Sequence, residues 1–228
     1  MRRMNLLAIE TSTEVGSIAV WREGHVLVRA CPEQTPHSET LLPLINEALG
    51  DAGLALADLH AIAFAAGPGS FTSLRVACGI AQGLAFAHQL PLLAIGTLEA
   101  MAAASGGERV IVALDARMGE VYYGLYQHGR PLAPVTVCAP SAVTIPESSG
   151  WLACGNGLTA YPRLWDRLAS CVSTCLPELM PDAGSVARLA ALRLARGETI
   201  DAAEAAPLYV RDKVALTVAE RLAGGGKA

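Results

Sequence analysis

The chain has 228 residues, of which 52% are hydrophobic and 17% charged, and its formal net charge is -4. This length accommodates one large domain or two small lobes, and the apolar fraction excludes an intrinsically disordered chain. Lys213 and Lys227 are the only lysines in the sequence, and the arginines are scattered. Because tight binding of nucleic acid requires a basic surface, we do not expect the chain to hold DNA or RNA on its own.

The cysteines and the longest uncharged stretch indicate the cellular location of the protein. The six cysteines form neither a C-x-x-C pair nor a zinc-binding pattern, and they are typical of small apolar side chains in a reducing cytoplasm. The uncharged stretch at 76–97 is interrupted by Gly83, His88 and Pro91. It therefore predicts a buried helix, a turn and a buried strand instead of a membrane span. We expect a soluble cytoplasmic protein.

The first half of the chain begins with short apolar runs separated by polar turns, which predict an antiparallel meander of three strands. A helix follows that begins near Thr40, or earlier with a kink at Pro43. The continuous apolar run at 61–66 is typical of a strand covered on both faces. The predicted strands are 4–10, 16–21, 26–30, 61–66 and 92–95, and the predicted helices are 41–49, 71–87 and 97–105, the last capped by Thr97.

The second half repeats this order of strands followed by helix and strand. Strands are predicted at 110–114, 121–126 and 151–154, and an amphipathic helix at 185–196. The polar turn Asp115–Glu120 joins the first two of these strands and is interpreted as a solvated hairpin tip. Gly106 and Gly107 mark the boundary between two α/β lobes, residues 1–105 and 106–228.

The segment Gly67-Pro68-Gly69-Ser70 joins a buried strand to the start of a long helix. Unpaired amides at a helix start attract anions, and glycine lets a phosphate approach the backbone. A tight turn that needs glycine for its geometry alone explains the segment equally well. The turn after the first strand offers a carboxylate and hydroxyls for a phosphate or a hydrated metal, or is simply a polar hairpin end. The candidate phosphate- or nucleotide-binding residues are Glu10, Thr11, Ser12, Gly67, Gly69 and Ser70.

The helix predicted at 71–87 carries small residues in two rows. Ala77, Ala81 and Ala85 form one row, and Gly79 and Gly83 form another. Glycine inside a helix costs up to about 1 kcal/mol relative to alanine, so a packing reason is expected. Small residues allow another helix to cross closely, and that helix belongs either to this chain or to another subunit.

The sequence contains no recognisable motif for a catalytic metal or a catalytic nucleophile. The five histidines are not paired at i,i+4, and no Gly-x-Ser-x-Gly turn occurs. We therefore predict no metal site.

Six segments, in order along nearly the whole chain, resemble the TsaB (YeaZ) family. The Gly-Pro-Gly-Ser-Phe-Thr segment combined with the late Arg-Asp-Lys-Val-Ala segment is far more specific than an isolated glycine loop. The segments are Leu7–Glu14, His37–Glu39, Leu42–Leu44, Gly67–Ala85, Asp115–Tyr122 and Pro207–Ala215.

The resemblance implies a two-lobed fold of the actin/Hsp70/sugar-kinase type with ribonuclease-H-like topology. It also implies a role in making N6-threonylcarbamoyladenosine at position 37 of tRNA. Family members act as the non-catalytic partner of a TsaD-like transferase, together with a TsaE-like ATPase, and tRNA is bound through the complex. The family's dimerisation surface would also support a homodimer of the chain alone. Mapped onto this sequence, that surface contains His37, Leu41, Leu42, Ile45, Leu74, Arg75, Cys78, Gly79, Gln82 and Gly83.

Some positions depart from the patterns of the family and of its catalytic relative. The family usually has Asp in place of Glu10 and Gly in place of Ser73. The catalytic relative has an H-x-x-x-H metal motif where this chain has Thr97 and Met101. We therefore expect no catalytic metal and no tightly bound nucleotide, with ATP or ADP bound only at a subunit boundary. The alternatives are an ATP-binding phosphotransferase of the same fold and a glycoprotease-like peptidase.

Overall fold

The computed structural model describes residues 4–211, which form two β-sheets and six α-helices. Lys213, Lys227 and residues 212–215 of the last family motif lie outside the described residues. The strands are β1 (Asn5–Glu10), β2 (Ser17–Arg22), β3 (His25–Ala30), β4 (Ala61–Gly67), β5 (Leu92–Gly96), β6 (Arg109–Asp115), β7 (Val121–Gln127), β8 (Arg130–Pro131), β9 (Thr136–Cys138), β10 (Trp151–Cys154) and β11 (Val172–Leu176). The helices are α1 (His37–Asp51), α2 (Phe71–His88), α3 (Thr97–Ser105), α4 (Gly157–Ala160), α5 (Pro162–Leu168) and α6 (Ala183–Ala195).

The first sheet has the strand order β3-β2-β1-β4-β5. β1, β2 and β3 pair antiparallel, which confirms the predicted meander, whereas β4 is parallel to both β1 and β5. Every residue of β4 is buried, as its continuous apolar run predicted. The parallel arrangement brings the carboxyl ends of β1 and β4 to the same edge of the sheet, and this edge is where the candidate site lies.

The second sheet has the order β11-β10-β6-β7-β8, and β9 pairs with β7. β6 and β7 form the predicted hairpin around the Asp115–Glu120 turn, and β10 runs parallel to β6. Helix α3 lies between the two sheets, because Ala100 packs into the core of the first sheet and Met101 into that of the second.

The core of the first sheet has two sides, since successive residues of a strand point to opposite faces. Leu7 and Ile9 of β1 pack towards α1 and α2. Leu6 and Ala8 pack towards α6. The sequence predicted a strand covered on both faces at β4, and the structure shows helices on both faces of the sheet.

The predicted boundary after residue 105 separates the two sheets, yet the chain returns to the first sheet near its end. Helix α6 packs against β1, β2 and β4, and Ile200 forms an antiparallel bridge with Leu92 of β5. The physical reason is that the alanine-rich face of β1 and β4 would otherwise be exposed to water. The first lobe is therefore built from both ends of the sequence.

The structure corrects the predicted cap of α3 and decides between the two predicted starts of α1. Thr97 does not cap α3: it is the first helical residue, the cap is Gly96, and the buried Thr97 hydroxyl has no hydrogen-bond partner within residues 4–211. Helix α1 begins at His37 and contains Pro43, which selects the earlier of the two predicted starts. Among the residues that the structure describes, no helix combines the length and the apolar character that a membrane crossing requires.

Candidate functional site

A cleft of about 370 Å³ lies between the two lobes. Three of the predicted binding residues, Ser12, Gly69 and Ser70, line it on the side of the first lobe. The β6–β7 turn lines it on the side of the second lobe, together with Asn156. The turn interpreted from the sequence as a solvated hairpin tip therefore forms the second wall of the cleft. The two lobes begin with the same strand-turn-strand order, and this similarity is the signal that could have paired the two turns.

The end of β1 is a buried polar segment of the first lobe. The Glu10 side chain is fully buried, one carboxylate oxygen accepts a hydrogen bond from the Ser12 amide, and the other has no partner within residues 4–211. The pKa of Glu10 is raised to about 7, chiefly because burial removes the solvation of the carboxylate. Hydrogen bonding by Ser12 partly offsets this rise, and the nearby Asp182 adds to it. The Thr11 hydroxyl donates to the carbonyl oxygen of Ser73 at 2.8 Å. Glu10 and Thr11 thus support the cleft from behind and do not line it.

The glycines of the loop before α2 are needed for backbone packing. A Cβ atom at Gly69 would lie 2.4 Å from the carbonyl oxygen of Ser12, and one at Gly67 would lie 2.7 Å from that of Leu208. The Ser70 amide donates to the Ser12 carbonyl at 2.7 Å. These contacts support the tight-turn explanation that the sequence left open. Phosphate binding at this loop stays a prediction.

The wall from the second lobe is organised around Asp115. Its carboxylate accepts hydrogen bonds from the Arg117 amide at 2.9 Å and from the Tyr161 hydroxyl at 2.7 Å. Desolvation, and after it the hydrogen bond to Asp115, raises the pKa of Tyr161 to about 12. The Arg117 guanidinium forms an ion pair with Glu14 of the β1–β2 turn. This ion pair joins the two lobes at the mouth of the cleft.

The segment after α6 crosses the cleft and contacts both lobes. The Leu208 amide donates to the carbonyl oxygen of Ala66 in the first lobe at 2.7 Å. The Arg211 guanidinium lies 2.5 Å from the Glu120 carboxylate and 3.0 Å from the Ala116 carbonyl oxygen in the second. The resemblance to the family includes this segment, but no local pattern in the sequence predicts that the segment contacts the cleft.

The predicted partner surface on α1 and α2 is only partly exposed. Leu42, Arg75, Gly79 and Gly83 are exposed. A Cβ atom added at either of these glycines would meet no other atom of the described chain within 4 Å. The glycine row of α2 is therefore open, whereas the alanine row, Ala77, Ala81 and Ala85, is buried in the chain's own core.

Of the other six residues predicted for this surface, four face inwards, which corrects their assignment, and His37 and Gln82 are half-buried. Four of them are fully or almost fully buried because α1 and α2 pack their apolar faces on the first sheet; these are Leu41, Ile45, Leu74 and Cys78. The His37 ring lies against the β1–β2 turn, 3.3 Å from the Thr13 carbonyl oxygen. The Gln82 side chain donates to the Ala202 carbonyl oxygen at 2.7 Å.

The positions compared with the metal motif of the catalytic relative are in the core. Thr97 and Met101 are one turn apart on α3 and both are completely buried. Neither side chain carries an imidazole. No group of three or more His, Cys, Asp or Glu side chains within residues 4–211 is placed to hold a metal ion.

The two sheets, the cleft between them and the returning helix α6 define a two-lobed α/β protein. Residues 31–144 match the family model of TsaD, tRNA N6-adenosine threonylcarbamoyltransferase. Over 93% of its length, the chain is 36% identical to the tRNA threonylcarbamoyladenosine biosynthesis protein TsaB of Escherichia coli, 96% of which is covered. The protein of the same name from Haemophilus influenzae is 35% identical over 94% of the chain and 96% of its own length. The chain belongs to the TsaB (YeaZ) family of tRNA threonylcarbamoyladenosine biosynthesis proteins.

Solved structures agree with this assignment. A structure of YeaZ from Pseudomonas aeruginosa has a TM-score of 0.82 and 39% identity, and covers 90% of this chain and 99% of that one. A second Pseudomonas aeruginosa structure, described as an uncharacterized protein with similarity to the peptidase YeaZ, has a TM-score of 0.84 and 38% identity. It covers 91% of this chain and 100% of the other.

Proposed function

We propose that this chain is a non-catalytic subunit required for N6-threonylcarbamoyladenosine formation at position 37 of tRNA. It pairs with a TsaD-like transferase subunit and works with a TsaE-like ATPase in the cytoplasm. The observation that carries the proposal is the 36% identity to a TsaB protein over 93% of the chain, which includes both lobes.

The chemistry of the described residues supports a non-catalytic role. The positions of the histidine pair in the catalytic relative are occupied here by Thr97 and Met101, and a hydroxyl and a thioether are poor substitutes for two imidazoles at a catalytic iron or zinc ion. The space beside the two glycines of the loop before α2 is filled by the backbone of Ser12 and Leu208. We therefore propose no tightly bound nucleotide, and ATP or ADP only at a subunit boundary.

The outer surfaces of α1 and α2 are proposed as the partner surface. Gly79 and Phe86 are seven residues apart and lie on one line along α2, and the Phe86 side chain is 79% exposed. Leu42 of α1 is 47% exposed. A partner helix could approach the α2 backbone closely at the exposed glycines. It would bury the exposed apolar side chains beside them. The same surface would form a homodimer when no partner is present.

Binding of tRNA is proposed to occur through the complex. The chain carries a net charge of -4, whereas phosphate recognition requires clustered positive charge. The transferase subunit would therefore supply most of the basic surface.

The proposal is tested by size-exclusion chromatography with light scattering on the chain, alone and mixed with a TsaD-like subunit. We expect a heterodimer that Gly79→Leu abolishes, because the leucine fills the open groove. Ala195→Leu adds the same side chain to the exposed end of α6, on the opposite face of the sheet, and should leave the heterodimer intact.

The same variants are then assayed for tRNA modification in a mixture of the transferase, the ATPase and tRNA. The mixture also contains threonine, bicarbonate, ATP and the separate synthase that, in this family's pathway, makes threonylcarbamoyl-adenylate from them. Modification should require the chain and fall at least tenfold with Gly79→Leu. A chain that forms no complex and is not required for modification would overturn the proposal. ATP turnover by the isolated chain would favour the phosphotransferase alternative instead.

A further inference from the structure

Tyr209, in the segment that crosses the cleft, lies beside the first turns of α2. Its ring centroid is 5.3 Å from that of Phe71, and its hydroxyl accepts a hydrogen bond of 2.9 Å from Nε of Arg75. The Tyr209 side chain is nevertheless 47% exposed. A residue 134 positions away in sequence therefore extends the surface of α2 at its N-terminal end.

The Arg75 guanidinium is held in place by aromatic rings and has no acidic partner among residues 4–211. Its central carbon lies 3.8 Å from the centroid of the Phe71 ring and 5.7 Å from that of the Tyr209 ring. Within residues 4–211, no carboxylate lies within ion-pair distance of it. By contrast, Arg117 and Arg211, which line the cleft, are paired with Glu14 and Glu120. Arg75 thus keeps its terminal N–H groups available on an exposed surface.

The position of Arg75 makes it continuous with the proposed partner surface. Arg75 precedes Gly79 by four residues, so the two are neighbours along one side of α2. A stripe of glycines supplies close approach but little side-chain area. Aromatic and arginine side chains that are fixed before binding are the residues that most often dominate the affinity of an interface.

We infer that Arg75 and Tyr209 form an anchor for the partner subunit, in which the Arg75 guanidinium binds an Asp or Glu side chain of that subunit and the Tyr209 ring packs beside it. This inference rests on the proposed function and assigns to the segment after α6 a part in partner binding. The free guanidinium specifies the acidic chemistry of the contact. The continuity with α2 specifies that the occupant is the same subunit that covers Gly79.

The anchor is tested by biolayer interferometry with the immobilised TsaD-like subunit at 50 and 300 mM NaCl. We expect Arg75→Gln to weaken binding at least tenfold at low salt, and to weaken the salt dependence, because a charged contact is lost. Tyr209→Ala should weaken binding about tenfold or more. Tyr209→Phe retains the ring but loses the acceptor for Arg75, so its effect should be smaller than that of Tyr209→Ala. Arg188→Gln removes an exposed arginine from α6, on the other face of the first sheet, and should stay within twofold of wild type.

The outcomes separate the anchor from the proposed function. If Arg75→Gln and Tyr209→Ala bind with wild-type affinity and salt dependence while Gly79→Leu still abolishes binding, the anchor alone is overturned. Absence of any binding by the wild-type chain would overturn both. Equal weakening by Arg188→Gln would show general charge attraction and would also overturn the anchor. Melting temperatures of all variants, compared with wild type, identify any loss that is due to unfolding.

Discussion

The two faces of the first sheet are built from side chains of different size. In β4, Ile62 and Phe64 point towards α1 and α2, whereas Ala61, Ala63 and Ala65 point towards α6. One strand therefore presents a face of large side chains and a face of small ones. The alternation follows from the period of two along a strand.

The helices bring different side chains to the two faces of the sheet. Helix α6 brings mainly small residues to the alanine face, among them Ala183, Ala187 and Ala190. A Cβ atom at Gly184 of this helix would lie 3.0 Å from Cγ2 of Val28. On the α6 face, small side chains therefore meet small side chains, whereas on the other face the large side chains of β4 meet the buried alanine row of α2. The two faces should respond differently to changes of side-chain volume.

The largest expected effect is on the face of large side chains. Phe64→Ala removes the ring of a fully buried residue and leaves a cavity under α2. We expect the free energy of unfolding, measured by urea denaturation, to fall by about 3–5 kcal/mol. Phe64→Leu fills much of the space and should cost clearly less. A loss below about 1 kcal/mol for Phe64→Ala would show that this face does not depend on close packing.

The α6 face ends at the buried carboxyl group of Glu10, which gives it a dependence on pH. The pKa of Glu10 is raised from 4.5 to about 7 in the folded chain, so protonation stabilises the folded state. This contribution is complete below pH 4.5 and is lost as the pH rises through 7. Relative to Glu10→Gln, the wild-type free energy of unfolding should fall by about 3 kcal/mol between pH 4 and pH 8. A constant difference between the two proteins across this range would contradict the raised pKa.

Ala63→Leu tests the small face directly and should have the smallest effect of the three. The added methyl groups would lie between β4 and α6, where Ala63 is completely buried. We expect the free energy of unfolding to fall by about 1–3 kcal/mol, because overpacking forces α6 or the side chains away from their positions. Ala195→Leu at the exposed end of α6 is the control for added volume and should be close to neutral. An unchanged stability for Ala63→Leu would remove the distinction between the two faces.

Local patterns in the sequence predicted most of the fold. The meander, the buried strand β4, the β6–β7 hairpin and the amphipathic helix α6 all follow from the spacing of apolar residues and the positions of polar turns. The same patterns could not show that α6 packs on the first sheet, since an amphipathic helix fits any apolar face of suitable size. Thr97 was predicted as a cap because its hydroxyl suits that position, but the chain places it one residue inside α3.

The candidate surfaces were predicted less completely. The two rows of small residues on α2 were visible in the sequence, but both alanine and glycine permit close packing. Only the fold shows that Ala81 faces the sheet and that Gly79 and Gly83 face outwards. Leu41 and Ile45 were assigned to the partner surface by resemblance, and the sheet beneath α1 covers them instead.

The sequence by itself determined the family and most of the strands and helices, because these depend on the order and spacing of neighbouring residues. The tertiary structure alone decided that Ser12, Gly69, Asp115 and Tyr209 meet around one cleft. Contacts between such distant residues depend on how the sheets and α6 pack together, and packing of this kind leaves no periodic signal along the chain.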